Sequence, residues 1–280
     1  MIKCISYWSI PGGLENTCPV YQALTAAKAA GFDGLELAID QQGVVHTILS
    51  EQECSVIRQM IEASGLTVQT LASGMSWGCC PTDPNPKVRK KSIDLYRAAL
   101  QRAAWLGCDA LLFVPGAVMI PWDKQFGPVK YTDAVKWARQ AVGQLVRTAE
   151  KVKVDLCIEN VWNGLFYSPV EFRDFIDSFD SPRVKAYFDV GNVLGYHQYP
   201  PHWIEILGKR IGRVHIKDFK RSVGNLTGFC ELLEGDVPWK ETMAALRKIG
   251  YRKTIVAEML PPGPGLQDRT SQALTRIVAM

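Results

Sequence analysis

Short runs of hydrophobic residues alternate along this chain with longer segments in which hydrophobic and polar residues recur at helical spacing. The short runs are rich in β-branched and aromatic residues and are bounded by Gly, Pro or polar residues, which is typical of buried strands. One longer segment begins with a capping box, Ser50 with Glu53 three residues later, and ends before Gly65. The pattern predicts eight strands that alternate with eight helices.

Strict alternation of strands and helices favours a parallel sheet with helices outside it, and eight units favour closure into a barrel. The predicted strands cover residues 3–8, 32–37, 66–71, 109–114, 154–159, 184–189, 213–218 and 253–258. The predicted helices cover residues 19–30, 51–64, 87–106, 132–151, 169–178, 201–207, 236–249 and 267–278, and the stretches 73–86 and 116–127 are expected to be loops. No linker rich in Ser, Pro or Gly divides the chain. We therefore expect an α/β fold with a single (β/α)8 TIM-barrel domain over residues 1–280.

Composition narrows the class of protein. The 280 residues are 47% hydrophobic and 21% charged, with a net charge of +4 that is not concentrated in any basic run. This argues against nucleic acid or a membrane surface as a partner. No apolar run reaches the ~18 residues of a transmembrane helix, and no signal peptide is recognised. The eight cysteines show no CxxC spacing, so we expect reduced thiols and a cytoplasmic location.

Four predicted strands carry a metal-binding residue at or near the carboxyl end. They are Glu159, Asp189, His215 and Glu258, at intervals of 30, 26 and 43 residues. A barrel of ~250 residues repeats about every 31 residues, so the intervals fit one such residue per strand. His215 is the one member of the four histidines inside a predicted strand.

These four side chains predict a divalent metal site at the mouth of the barrel. A single strand histidine is more often structural, and acids at strand ends often cap the next helix. Four such residues in consecutive strands are not readily explained that way. Carboxylates with one imidazole and no thiolate suit Mn²⁺ best in our interpretation, with Mg²⁺, Co²⁺ and Zn²⁺ as alternatives.

The predicted site suits proton transfer next to a carbonyl. A divalent ion can chelate the carbonyl and neighbouring hydroxyl of a sugar, which acidifies the intervening C–H group and stabilises the enediolate. Glu159 and Glu258 lie three strands apart and could flank such a substrate. We predict that one glutamate removes the proton and the other returns one to the opposite face, which is epimerisation.

The sequence around these residues resembles the sugar phosphate isomerase/epimerase family, which includes ketose 3-epimerases, L-xylulose-5-phosphate 3-epimerase, inosose dehydratase and xylose isomerase. The segments that carry the resemblance are CIENVW (157–162), YFDVGN (187–192), VHIKD (214–218), VAEM (256–259), GFDGLE (31–36) and EGDVPW (234–239). The resemblance implies that Glu159, Asp189, His215 and Glu258 are metal ligands and that the glutamates are the acid/base pair. Endonuclease IV, a more distant relative, needs more histidines than this chain has.

The chain departs from the ketose 3-epimerases at two positions. Asn192 stands where those relatives usually carry a histidine, and Leu165 stands where they carry a glutamate. In those relatives both groups contact the C1 end of the sugar.

Further candidates for substrate contact lie near the predicted mouth. They are Lys217, Asn192, Glu36, Trp122 and Trp162. Lys217 could reach a substrate oxygen or phosphate, or pair with an acid. For Glu36 a structural ion pair is the default, and for the tryptophans it is core packing; a tryptophan face could instead lie against a sugar ring.

We therefore predict a metal-dependent isomerase or epimerase of a small ketose or ketose phosphate, with 3-epimerisation favoured. A dehydratase of an inosose-like substrate is one alternative, because it begins with the same proton removal. A non-catalytic sugar-binding or subunit protein is the other. Barrels of this kind often form homo-oligomers, but no stretch of the sequence identifies an interface.

Overall fold

Eight parallel strands close into a barrel in the computed structural model, which describes residues 1–280. The protein has ten strands in all, of which two lie outside the barrel. In chain order they are β1 (Ile2–Ser6), β2 (Gly34–Ala38), β3 (Thr70–Ala72), β4 (Ala110–Phe113), β5 (Asp155–Glu159), β6 (Val184–Asp189), β7 (Ile211–Ile216), β8 (Asp218–Phe219), β9 (Phe229–Cys230) and β10 (Thr254–Ala257). Around the barrel the order is β1, β10, β7, β6, β5, β4, β3, β2, and β8 and β9 form a separate antiparallel hairpin. The predicted (β/α)8 fold is confirmed.

Ten α-helices surround the strands or lie on the loops between them. They are α1 (Val20–Ala29), α2 (Glu51–Ser64), α3 (Met75–Gly78), α4 (Pro86–Leu106), α5 (Tyr131–Val152), α6 (Pro169–Asp177), α7 (Val190–Gly195), α8 (Pro200–Leu207), α9 (Trp239–Lys248) and α10 (Leu266–Ala279). The predicted capping box at Ser50 and Glu53 is present, and Gly65 ends α2 in the left-handed conformation. None of these helices combines the length and hydrophobicity that a membrane-spanning segment needs.

The structure differs from the predicted pattern at four places. Helix α3 lies inside the stretch predicted as a loop, and β3 is shorter than the predicted strand 66–71. Helix α7 follows β6 without a loop, because the Asp189 side chain accepts a hydrogen bond from the Asn192 backbone and caps it. The fourth difference is the β8–β9 hairpin, which lies within the long connection between β7 and α9.

Buried polar side chains lie inside the barrel. At the amino end the fully buried Arg213 forms an ion pair with Asp109 and donates to the Gly212 carbonyl. Two residues further along the same strand, His215 faces the same interior at the carboxyl end, because side chains alternate along a strand. Functional groups therefore collect at the end where βα loops form the mouth.

Candidate metal centre and active site

Four side chains from four neighbouring strands converge at the carboxyl end of the barrel. Glu159 ends β5, Asp189 ends β6, His215 lies near the end of β7 and Glu258 directly follows β10. The register pairs His215 with Asp189 on one side and with Val256 on the other, which brings the ends of these strands level. One ligand atom from each residue lies within 4.8 Å of every other.

His215 is oriented by Glu36, which lies behind it on β2. Nε2 of His215 is 2.8 Å from Oε1 of Glu36, and both side chains are fully buried. The other carboxylate oxygen, Oε2, accepts hydrogen bonds from the hydroxyls of Tyr187 and Thr70. Because an ionised carboxylate only accepts hydrogen bonds, the proton belongs on Nε2, which leaves the Nδ1 lone pair free.

Nδ1 of His215 points at the three carboxylates. It lies 2.8 Å from Glu258, 3.7 Å from Glu159 and 3.9 Å from Asp189. None of these approaches has the alignment of a hydrogen bond, so Nδ1 of His215 is buried without a hydrogen-bond partner. Oδ2 of Asp189 and Oε2 of Glu258 are also buried without a hydrogen bond, and each lies 3.0 Å from the Lys217 ammonium group. Buried polar atoms are costly unless paired, and a divalent cation would pair all three at once. The four residues therefore fit a metal, and Glu36 supplies the carboxylate that commonly supports a metal-bound histidine.

Burial and neighbouring charges perturb the protonation of the four groups. Burial raises the pKa of Glu159 and of Asp189. Burial lowers the pKa of His215, but Glu36 and Glu258 outweigh it and the pKa lies well above its usual value. Burial raises the pKa of Glu258, but Lys217 and His215 overcome this and lower it to about 2.

Lys217 lies beside the candidate ligands at the edge of the cavity. Its Nζ is 3.0 Å from Oδ2 of Asp189 and 3.0 Å from Oε2 of Glu258. The pKa of Lys217 is raised, because these two carboxylates outweigh the effect of burial. The ammonium group stays charged and neutralises part of the negative charge of the ligand set.

Asn160 fixes the ends of β5 and β6 relative to each other. Its side-chain amide donates to the Asp189 carbonyl at 2.9 Å and accepts from the Asp189 backbone N–H at 2.8 Å. The Asn192 amide donates in turn to the Asn160 carbonyl at 3.0 Å. Asn192 therefore helps to hold the backbone that carries the candidate ligands, and it also lines the cavity.

A cavity of about 800 Å³ opens above the four side chains. Most of its lining residues are hydrophobic, including Trp8, Trp77, Trp122 and Trp162. Trp77 and Trp122 meet edge to face at 4.7 Å. The indole ring of Trp162 packs against Gly195 of α7. Glycine is required at position 195 because a Cβ there would lie 1.8 Å from the indole ring.

The structure brings most of the predicted substrate contacts to this cavity, with one exception. Lys217, Asn192, Trp122 and Trp162 line it. Glu36 does not, since it is fully buried behind His215, so the expected substrate contact at Glu36 is corrected to a hydrogen bond with the histidine. Leu165, at the position where related epimerases carry a glutamate, is buried in the hydrophobic core.

Sequence reasoning missed three groups that organise the site. Asn160 and Tyr187 were not identified as individual site residues, although each lies inside a segment that carries the family resemblance. Asp218 was also missed. Its two carboxylate oxygens accept from the backbone N–H groups of Phe219, Leu233 and Val237 and from the Trp239 indole. The polar residues that follow β5 and β7 were the available signal for Asn160 and Asp218, whereas Tyr187 lies within β6 and had no such signal.

Most of this chain matches the model of one protein family. A model described as the xylose isomerase-like TIM barrel matches residues 24–276. The chain belongs to this family. The family relationship predicted from the strand-end motifs is thereby confirmed.

The relatives of this chain include a D-psicose 3-epimerase and a putative L-ribulose-5-phosphate 3-epimerase. D-psicose 3-epimerase of Ruminiclostridium cellulolyticum is 26% identical over 237 residues, which are 81% of this chain and 74% of that protein. The putative L-ribulose-5-phosphate 3-epimerase SgbU of Haemophilus influenzae is 22% identical over 243 residues, 85% of this chain and 82% of that protein. The solved structure of D-psicose 3-epimerase with D-tagatose from Clostridium cellulolyticum H10 has a TM-score of 0.80 at 18% identity and covers 99% of this chain and 98% of its own; it shares the fold.

Proposed function

We propose that this protein is a divalent-metal-dependent epimerase that inverts C3 of a ketose or ketose phosphate. One observation carries the proposal: of the four converging side chains, only Glu159 and Glu258 are exposed to the cavity, at 7% each, while Asp189 and His215 are fully buried beneath them. The two glutamates come from β5 and from the end of β10, with β6 and β7 between them. The sequence similarity to ketose and ketose phosphate 3-epimerases supports the same activity.

Different side chains of the site have different roles in the proposed reaction. Glu159 and Glu258 approach a substrate above the metal centre from two sides, so one is placed to remove the proton from C3 and the other to return a proton to the opposite face. A bound divalent cation would polarise the adjacent carbonyl and so acidify that proton. Lys217 lies beside Glu258 and contributes positive charge where the oxygens become more negative. The tryptophan walls exclude water from the sugar.

Glu159, Asp189, His215 and Glu258 would hold the cation. The donor set of three carboxylates and one imidazole suits Mn²⁺, and we propose this ion as the physiological metal. Mg²⁺, Co²⁺ and Zn²⁺ remain alternatives that metal analysis of the purified protein would separate.

Exchange of the C3 proton with solvent tests the proposal. The metal-loaded protein is incubated in D2O with a panel of ketoses and ketose phosphates, and deuterium at C3 and the epimer formed are followed by NMR and mass spectrometry. We expect each of Glu159→Gln and Glu258→Gln to lower kcat for epimerisation by about 10²–10⁴-fold. Each variant should still exchange the proton of one epimer only, because one of the two proton-transfer groups remains.

Glu205→Gln is the matched control, since Glu205 is an exposed glutamate paired with Lys248 outside the cavity. Metal content is measured for every variant. Full turnover by Glu258→Gln with metal still bound would remove that glutamate from the proposed reaction. A product lighter by one water would instead assign the dehydratase reaction.

We also propose that the whole chain, residues 1–280, acts as one domain in a reducing compartment such as the cytoplasm. All eight cysteines are free thiols and seven of them are buried, which supports that location. Assembly into a homo-oligomer, which is common for barrels of this kind, is checked by light scattering of the purified protein.

A further inference from the structure

The cavity is poor in positive charge. The acidic residues on its wall are Asp40, Glu159, Asp218, Glu231 and Glu258, and Lys217 is its single lysine or arginine. Nζ of Lys217 already lies 3.0 Å from two carboxylates. A divalent cation bound at the site would be balanced by Glu159, Asp189 and Glu258. A phosphate ester in the rest of the cavity would therefore meet Asp40 and Glu231 and no unpaired cation, and an interaction between like charges is repulsive.

Three other cationic side chains near the cavity either are paired with an acid or do not line it. Arg269 reaches the rim at Glu231, where it makes a bidentate ion pair with contacts of 2.6 to 3.1 Å. Lys220 and Arg221 follow β8, on the connection where barrel enzymes often bind phosphate, but both are exposed and neither lines the cavity. Leu226, further along the same connection, does line it.

The rim is instead built from exposed hydrophobic side chains. Leu14, Trp122, Leu226 and Leu260 are 45%, 51%, 38% and 43% exposed, and all four line the cavity. They come from four different connections, after β1, β4, β8 and β10. Exposed apolar residues that gather around one opening mark a binding surface rather than random exposure.

The cavity is also larger than a monosaccharide needs. Pockets of roughly 300–1,000 Å³ enclose drug-sized ligands, and this one measures about 800 Å³. A six-carbon sugar held at Glu159 and Glu258 would fill only part of this volume. Most of the residues that line the cavity are hydrophobic.

We propose that the site takes a neutral keto sugar bearing an apolar or aromatic substituent on a carbon remote from the carbonyl, and that it rejects phosphate esters. The substituent lies between the Trp77–Trp122 pair and the rim leucines while the sugar lies at the two glutamates. This inference rests on the proposed epimerase function and specifies its substrate class.

Three probes that differ only at C6 test the inference: a ketohexose, its 6-phosphate and its 6-O-benzyl ether. Deuterium exchange at C3 by the metal-loaded protein gives kcat/KM for each. We expect the benzyl ether to exceed the free ketohexose by about tenfold, as an aromatic contact in a buried site provides. The 6-phosphate should fall below both.

Variants at the rim show whether the apolar wall causes the preference. Leu14→Ala and Leu226→Ala should each lower the ratio of kcat/KM for the benzyl ether to that for the free ketohexose. Ile48→Ala is the matched control, because Ile48 is 78% exposed and lies outside the cavity; it should leave the ratio unchanged. Leu226→Arg should raise the relative rate with the 6-phosphate, since it supplies the missing cation.

Failure of this inference differs from failure of the proposed function. Exchange that is fastest with the 6-phosphate overturns the inference and leaves the epimerase function standing. Absence of exchange with all three probes counts against the epimerase function. In that case binding of the same probes, followed by quenching of tryptophan fluorescence, decides the inference: tighter binding of the 6-phosphate than of the benzyl ether overturns it, and the reverse order supports it.

Discussion

A single carboxylate on the far side of the barrel determines which nitrogen of His215 faces the ligand set. Glu36 accepts a hydrogen bond from Nε2–H, and its second oxygen accepts hydrogen bonds from Tyr187 and Thr70. Fixing the ring in this way keeps Nδ1 aimed at Glu159, Asp189 and Glu258. Glu36 thus orients a candidate metal ligand from a position outside the cavity.

Glu36→Gln is expected to weaken metal binding by about 10–100-fold, the usual loss when the hydrogen-bond partner of a ligating histidine is removed. The amide group would face Tyr187 or His215 with a donor in place of an acceptor. Calorimetric titration with Mn²⁺ measures the change, and thermal melting checks that the variant is folded.

Tyr187→Phe serves as the matched variant for this prediction. It removes one donor to Glu36 but leaves the contact between Glu36 and His215, so its loss of metal affinity should be smaller. Equal losses for the two variants would mean that packing around His215, and not the carboxylate, sets the affinity.

The convergence of the four candidate ligands could be predicted from the sequence, whereas the hydrogen bonds that support them could not. Each of the four lies at or near the carboxyl end of a predicted strand: Glu159, Asp189, His215 and Glu258. Because the parallel strands of a barrel end at one mouth, the pattern of hydrophobic and polar residues was sufficient to predict that these side chains meet. The contact between Glu36 and His215 joins residues 179 positions apart. It depends on the register between neighbouring strands all around the closed barrel, and the hydrophobic periodicity of the sequence does not determine that register.

The connection from β7 to α9 is held in place by one buried acid. Asp218 accepts four hydrogen bonds, two on each carboxylate oxygen, from Phe219 in β8, from Leu233 and Val237 after β9, and from Trp239. Gly235 approaches so closely that a Cβ there would lie 2.1 Å from Oδ1 of Asp218. The hairpin places Phe229 and Leu226 at the cavity.

Asp218→Asn is expected to destabilise the protein by about 3 kcal/mol, because its amide nitrogen would leave two buried donors without an acceptor. Urea unfolding measures the loss, and hydrogen exchange locates it between residues 218 and 239. Asp236→Asn is the control. Asp236 is exposed and accepts one hydrogen bond from the Arg221 backbone at 2.8 Å, so its cost should stay well below that of Asp218→Asn. Similar losses at both positions would contradict the central role of Asp218.

Elements with a strong local signal were predicted well, and those made by tertiary contacts were not. Helix α2 was predicted to the residue at its carboxyl end because Ser50, Glu53 and Gly65 mark both of its ends. Hairpin β8–β9 has two residues in each strand and depends on the buried Asp218. Helix α7 begins directly at a strand end, capped by a predicted metal ligand. Neither leaves a hydrophobic period long enough to recognise.

For the molecule as a whole, metal affinity should fall as the pH is lowered. Burial raises the pKa of Glu159 and of Asp189; the pKa of His215 is raised because Glu36 and Glu258 outweigh burial. Each proton on these groups must leave before a cation binds, so affinity falls by about tenfold per pH unit for each proton displaced. Glu258 contributes none near neutrality, because its pKa is lowered to about 2.

Calorimetry in two buffers of different ionisation enthalpy counts the protons released on binding Mn²⁺. A ligand that binds only the folded state also stabilises it, by ~2.7 kcal/mol at a hundred times Kd. Addition of a chelator should therefore lower Tm by roughly 5–10 °C. Asp189→Asn, which lacks a ligand oxygen, should show little of this shift. A Tm that ignores both metal and chelator in the unaltered protein would contradict the site.

The burial of Asp189 and His215 beneath the two glutamates has a consequence for the order of events. Arg213 and Asp109 form an ion pair at the opposite end of the barrel, so a bound cation would enter and leave past Glu159 and Glu258. A sugar resting on those glutamates would block that route. The protein would then have to take up the cation before the sugar.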